Sequence, residues 1–175
     1  CNLSRFEDGI ASFDAALAKK PNAADVLSNR GMALFYLKRP ADALASFDAA
    51  LASQPAYLQA IMMRGSILQG LGRPEEALSS YDKAIALRPS PELHYNRAIV
   101  LADLSRFPDA LTALDRALAL QSSFADAWNT RGLVLQNLER FEEAVTSFER
   151  AIRLRPDLPG AHANRENALR RLKGT

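Results

Sequence analysis

The sequence contains little of what disulfides, membrane spans or highly charged partners require. Its single cysteine, Cys1, excludes an internal disulfide. Its apolar runs are only a few residues long, whereas a membrane-spanning helix needs roughly 20. The net charge of +2 is too small to indicate nucleic acid or a membrane as a partner. Residues 1–20 also lack the basic start and apolar core of a secretory leader, so we expect a cytoplasmic protein.

Motifs for catalysis are equally scarce. The sequence contains no phosphate-binding loop, no cluster with metal-ligand spacing and no nucleophile motif. Its two histidines, His94 and His162, occupy a position that holds a bulky apolar residue elsewhere in the chain. We expect them to have a packing role, with metal binding or catalysis as the alternative. The sequence therefore predicts a protein that is not an enzyme and that needs no cofactor or metal.

What the sequence does have is a repeat of 34 residues. Phe13, Phe47 and Tyr81 follow this spacing, and one residue is deleted between Pro89 and Arg97 before the register resumes. The same spacing relates prolines, glycines and alanines, namely Pro21, Pro55 and Pro89, Gly31 and Gly65, and Ala43 and Ala77. A period of this length is typical of solenoids and arrays, which present an extended surface instead of a single cleft.

Each repeat reads as two helices. In residues 125–156, Trp128, Gly132 and Leu135 recur at the spacing of one helix face, and a second face of the same period follows from Phe141. Pro156 ends the second helix. The connection is only about four residues long, so the two helices should pack antiparallel.

Small residues recur in the interior of these helices. Glycine costs a helix interior roughly 1 kcal/mol relative to alanine, so its repeated use needs a compensating reason. We predict a close helix crossing at these positions, with the neighbouring aromatic position filling the space beside it. The position in the first helix holds Gly31, Gly65, Ala98 and Gly132, and the aromatic position in the second holds Phe13, Phe47, Tyr81, Leu114 and Phe148.

The pattern resembles the tetratricopeptide repeat. Trp128, Gly132, Ala144, Phe148 and Pro156 match its consensus directly, and equivalent residues recur through the chain. Two positions depart from it, because arginine precedes the glycine position and leucine replaces the usual tyrosine. The resemblance implies an all-α fold, a right-handed α-solenoid of antiparallel helix pairs, with first helices that line a concave groove for extended peptides.

On this basis the chain divides into one array. We predict a partial repeat over 1–22, full repeats over 23–56, 57–89, 90–122 and 124–157, and a C-terminal capping helix within 158–175. Because the sequence begins inside a repeat, we expect the natural N-terminus to be missing.

A column of arginines runs in register with a column of acids. The arginines are Arg30, Arg64, Arg97, Arg131 and Arg165, and the acids are Asp14, Asp48, Asp82, Asp115 and Glu149. The helical wheel places each arginine at the edge of the buried face, where its stem can pack while its guanidinium reaches outward. We expect ion pairs between helices, with recognition of an acidic ligand as the alternative.

The wheel also predicts an exposed side for each first helix, which the resemblance places in the groove. Ser28, Leu133 and Asn137 belong to this side. The candidate peptide-binding residues are Asn29, Met32, Phe35, Tyr36, Met62, Met63, Ser66, Gln69, Tyr95, Asn96, Ile99, Asn129 and Gln136. Their apolar members would form an exposed patch of the kind that marks an interaction site, unless neighbouring helices cover them.

Three functions compete at this point. The first is a scaffold that binds a protein or peptide segment in the groove, with Tyr36, Met62 and Tyr95 as anchors for one segment. The second is the repeat region of a larger enzyme such as a protein glycosyltransferase. Such enzymes carry repeats with asparagines along the groove, a pattern that Asn29, Asn96 and Asn164 resemble. The third is self-association through the ends of the stack. Residues 150–175, with seven basic against two acidic residues, are either a solvated helix or a site for an acidic partner.

Overall fold

Every regular element in residues 2–174, the part of the chain that the computed structural model describes, is an α-helix. Side chains are described from Phe6 onward, so the prediction for Cys1 lies outside the described residues. The helices are α1 Asn2–Lys19, α2 Ala24–Tyr36, α3 Pro40–Ser53, α4 Leu58–Gly70, α5 Pro74–Leu87, α6 Pro91–Asp103, α7 Phe107–Leu120, α8 Ala125–Asn137, α9 Phe141–Leu154 and α10 Ala161–Lys173. The predicted all-α fold is confirmed.

The helices form two compact units. The first, Cys1–Arg88, contains α1 to α5, and the second, Pro89–Thr175, contains α6 to α10. Within the units α2 packs on α3, α4 on α5, α6 on α7 and α8 on α9, while α10 packs on α9. The Ser53 hydroxyl at the end of α3 donates to the Asn22 carbonyl just before α2, at 2.6 Å, so these two helices run antiparallel as predicted.

The turn inside each pair has one conformation. After α2, Lys38 adopts a left-handed φ of 60°, and the Arg39 amide donates to the Leu34 carbonyl at 3.0 Å. This six-to-one hydrogen bond is the Schellman arrangement, which satisfies carbonyl groups at a helix end. Gly72 holds the equivalent position after α4, where the left-handed backbone favours glycine. The following helices α3 and α5 begin at proline, whose fixed φ suits the first helical position.

In the α2–α3, α4–α5 and α8–α9 pairs, a glycine of the first helix packs on an aromatic ring of the second. A Cβ atom added at Gly132 would lie 2.5 Å from the Phe148 ring, and one at Gly31 would lie 2.9 Å from the Phe47 ring. Both phenylalanines are fully buried. The predicted close crossing at the glycine positions is therefore confirmed, and the leucines at the tyrosine position, Leu34, Leu68, Leu101 and Leu135, are fully buried beside it.

Tyr81 fills the aromatic position of α5, and burial raises the pKa of its hydroxyl to about 12. An unfolded tyrosine titrates near about pH 10. The folded state thus binds the hydroxyl proton of Tyr81 more tightly than the unfolded state does. The stability that this difference contributes is fully present below the unfolded pKa, and it is lost as pH rises through the folded pKa. We expect the melting temperature to fall steeply between about pH 10 and about pH 12. Thermal melts followed by circular dichroism over this pH range are the measurement. The melting temperature of Tyr81→Phe should fall less than that of the wild type. Equal dependence of the melting temperature on pH in both proteins would contradict the prediction.

Candidate functional site

Four arginines of the column each join a first helix to the helix that precedes it within the same unit. Arg131 of α8 donates through Nε to the Asp115 carboxylate of α7 at 2.8 Å, and through one terminal nitrogen to the Ser147 hydroxyl of α9 at 2.8 Å. Arg64 repeats both bonds in the first unit, to Asp48 at 2.6 Å and Ser80 at 2.7 Å. Arg30 does the same with Asp14 and Ser46, and Arg165 pairs with Glu149. The expected ion pairs are confirmed for these four arginines.

The serines that accept the second hydrogen bond from these arginines were not predicted from the sequence. Ser46, Ser80 and Ser147 are buried, and each hydroxyl also donates to a backbone carbonyl of its own helix. Their spacing follows the repeat, so the periodicity alone could have revealed them. The equivalent residue beside Arg97 is Ala113, which offers no hydroxyl.

A second set of arginine pairs, also missed, lies at the start of the second helices. Arg140, just before α9, donates to the Glu143 carboxylate at 2.7 and 2.8 Å. These hydrogen bonds, together with the positive charge of Arg131, lower the pKa of the Glu143 carboxyl. Equivalent pairs join Arg39 to Asp42, Arg73 to Glu76 and Arg106 to Asp109. Both partners of each pair are about half exposed, so these pairs contribute little to stability.

In the first unit, the candidate residues divide into exposed and partly covered ones. Asn29, Tyr36 and Ser66 are exposed, while the candidates Met32, Phe35, Met62, Met63 and Gln69 are half-buried. Tyr36, 52% exposed, stacks on Phe6 of α1 with ring centroids 5.2 Å apart and meets the edge of Phe35 at 6.1 Å. The end of α2 thus carries a small aromatic cluster.

Two expectations for this side need correction. Ser28 was predicted to be exposed, but it is fully buried, and its hydroxyl has no hydrogen-bond partner among the described residues. The predicted exposed apolar patch is also only partly present, because Met32, Phe35, Met62, Tyr95 and Ile99 are half-buried. Helices packed beside the first helices cover part of these side chains, which a wheel drawn for one helix does not include.

In the second unit, first helices lie beside one another and their polar side chains meet. The Asn164 amide of α10 donates to the Asn129 side-chain oxygen of α8 at 3.3 Å, and the Gln136 amide donates to the Asn164 carbonyl at 3.3 Å. On the other side of α8, the Tyr95 ring of α6 packs on Phe124 with centroids 4.9 Å apart. Asn129, Gln136, Tyr95, Asn96 and Ile99 are all half-buried. The structure therefore places amides and an aromatic ring along neighbouring helices.

The histidines occupy different environments. His94 is half-buried, and burial lowers the pKa of its imidazole, assisted by the charges of Arg97 and Arg116. His162 is exposed, and its Nε2 lies 3.0 Å from the Pro156 carbonyl oxygen.

Among the described residues, no three histidine, cysteine or acidic side chains are grouped as a metal site would require. No described helix is both long enough and apolar enough to cross a bilayer.

Comparison with protein families decides the classification. The model of the tetratricopeptide repeat matches residues 2–57, 62–111 and 95–159, which is most of the chain. The chain belongs to the tetratricopeptide repeat family. The resemblance seen in the sequence is thus confirmed, and this repeat fold supports a protein–protein interaction module. No curated protein matches the sequence.

Solved structures of other tetratricopeptide repeat proteins share the fold. One is YrrB, described as a TPR protein with an unusual peptide-binding site, with a TM-score of 0.86, 23% identity, and coverage of 94% of this chain and 86% of that chain. Another is the first TPR of Spaghetti (RPAP3) bound to the HSP90 peptide SRMEEVD, with a TM-score of 0.65, 27% identity, and coverage of 66% and 93%. A third, the 41-end segment of MamA from Desulfovibrio magneticus RS-1, has a TM-score of 0.76 at 20% identity, with coverage of 86% and 92%.

Proposed function

We propose that this tetratricopeptide repeat chain is a non-enzymatic interaction module that binds an extended peptide segment along its first helices. The observation that carries the proposal is the amide row of the second unit, where Asn129, Gln136 and Asn164 link α8 to α10. An amide side chain offers both a donor and an acceptor, the same pair of groups that each peptide unit of an extended segment presents. The row is therefore chemically complementary to a peptide backbone of varied sequence.

Aromatic and apolar groups beside the row would supply binding energy. Tyr95 is half-buried and held against Phe124, so it offers a contact surface that is already ordered. Ordered aromatic anchors dominate many interfaces, because little side-chain entropy is lost on binding. In the first unit we propose the same role for the faces of α2 and α4. Their proposed contact residues are Asn29, Met32, Phe35, Tyr36, Met62, Met63, Ser66 and Gln69.

The known behaviour of similar proteins supports this proposal. The first TPR of Spaghetti (RPAP3) was solved with a bound peptide, and YrrB is described as having a peptide-binding site. The repeat divisions 1–22, 23–56, 57–89, 90–122, 124–157 and 158–175 remain part of the same proposal. In this division each full repeat contributes one first helix to binding.

The proposal can be tested by selecting random peptides displayed on phage with the whole chain and measuring their affinity by fluorescence anisotropy. Asn129→Ala and Tyr95→Ala should each weaken the selected peptides roughly tenfold, as expected for anchor residues. The matched control is Thr112→Ala, an exposed residue of the second helix α7, which should bind normally. If the chain selects no peptide, or if all three variants bind equally well, the proposed function is wrong.

Acidic chaperone tails are not expected to be among the ligands. The resemblance places a lysine at one first-helix position in tetratricopeptide repeats that bind such tails. Here that position holds Ser28, Met62, Tyr95, Asn129 and Ala163, none of them a cation. A titration with the peptide SRMEEVD should give no saturable binding at low micromolar concentration, and saturation there would contradict this prediction.

A further inference from the structure

A surface depression of about 230 Å³ lies between the end of α8, the start of α9 and α10. Its lining residues are Gln136, Asn137, Phe141, Asn167 and Arg171. This lining contains a cation and three amides but no carboxylate. Three other depressions of the chain each contain a carboxylate beside their arginines, namely Asp48, Glu149, and Asp115 with Glu143.

Arg171 has no ion-pair partner in the described part of the chain. In the second unit Arg131, Arg140, Arg155 and Arg165 all form ion pairs, whereas Arg171 forms none with a described carboxylate. Its guanidinium lies instead over the Phe141 ring, 5.5 Å from the centroid. A guanidinium beside an aromatic ring still carries N–H groups that can bind a carboxylate in a bidentate manner.

The amides of the depression retain donors as well. The Asn137 amide donates to the Leu133 carbonyl at 2.9 Å, and the Gln136 amide donates to Asn164. Each amide nitrogen carries two hydrogens, so one remains on each. The Asn167 side chain is exposed, so its amide is accessible to a ligand. A carboxylate accepts several hydrogen bonds, which the guanidinium and these amides can provide together.

We propose that this depression binds one acidic side chain, Asp or Glu, within the partner's extended segment. This rests on the proposed function, because Gln136 belongs both to the amide row and to the depression. A single cation compensates a single carboxylate. An acid-rich chain end would bring several negative charges to a lining with no second cation, so an internal acidic residue fits better.

The experiment compares peptides selected by the wild-type chain with those selected by Arg171→Gln. The wild type should enrich peptides with an internal Asp or Glu, and Arg171→Gln should still select peptides but lose that enrichment. Arg150→Gln, which removes an exposed arginine of α9 outside the depression, is the matched control and should keep it. Arg171→Lys keeps the charge without the planar fork and should show a weakened enrichment.

Affinities of matched synthetic peptides then locate the contact. With both ends blocked, a peptide with Glu should bind the wild type roughly tenfold more tightly than its Gln counterpart, and Arg171→Gln should bind both equally. A Gln peptide with a free C-terminal carboxylate should bind the wild type no more tightly than the Gln peptide with both ends blocked. Selection without acidic enrichment, enrichment that persists in Arg171→Gln, or a gain from the free terminus would each overturn the inference while leaving peptide binding intact. Selection of no peptide would overturn both proposals.

Discussion

Gly132→Ala is expected to destabilise the protein by about 1–3 kcal/mol, although alanine is the better helix former. The added Cβ would lie 2.5 Å from the Phe148 ring, which is fully buried and therefore has little room to move. The gain in helix propensity, roughly 1 kcal/mol, is smaller than the cost of overpacking at so short a distance. Urea denaturation should show a lower midpoint with an unchanged slope.

The matched control is Gly70→Ala at the end of α4. A Cβ atom there meets nothing within 4 Å, so the variant should be as stable as the wild type or slightly more stable. The double variant Gly132→Ala with Phe148→Leu should lose less than the sum of the two single variants, because the smaller side chain relieves the overlap. Equal effects at Gly132 and Gly70 would show that the close approach has no energetic weight.

Arg131→Ala should cost about 2–3 kcal/mol, because it removes two charge-assisted hydrogen bonds at once. The Arg131 side chain is only 18% exposed, and it joins Asp115 of α7 to Ser147 of α9. Its guanidinium also lies 5.7 Å from the centroid of the Trp128 ring, so packing is lost with the charge. The free energy of unfolding from urea titration is the measurement.

Arg140→Ala provides the comparison. Arg140 and Glu143 are 45% and 49% exposed, so their ion pair should be worth only about 0–1 kcal/mol. Arg131→Lys should recover little of the loss, since an ammonium group does not reproduce the planar fork. Similar losses in the free energy of unfolding for Arg131→Ala and Arg140→Ala would mean that the contacts of Arg131 between helices stabilise the protein no more than a surface ion pair does.

The sequence predicts much of this fold because equivalent residues make the same packing and ion-pair contacts in successive repeats. The positions of the helices, the contact of Gly132 with Phe148 and the pairing of Arg131 with Asp115 all follow from the spacing between equivalent residues. The burial of Ser28 does not, because it depends on how the helices beside α2 cover it. Periodicity shows which residues share an environment, but it does not show how enclosed that environment is.

The candidate site was less predictable than the fold. The sequence places Asn129 and Gln136 on one predicted face of α8, but their contacts with Asn164 depend on the approach of α8 to α10. The proposal for Arg171 needed the structure as well, since only the structure separates arginines that pair with a described carboxylate from one that does not. Residue spacing within one helix does not show which side chains from separate repeats come into contact.

The short reach of the stabilising contacts has a kinetic consequence. The arginine–acid pairs join residues 16 positions apart in the sequence, and each pair of helices closes through a short turn. Closing such small loops costs little chain entropy, and proteins of low contact order fold quickly. Each unit should therefore form and open one helix pair at a time, and amide hydrogens should exchange in blocks whose protection differs from repeat to repeat.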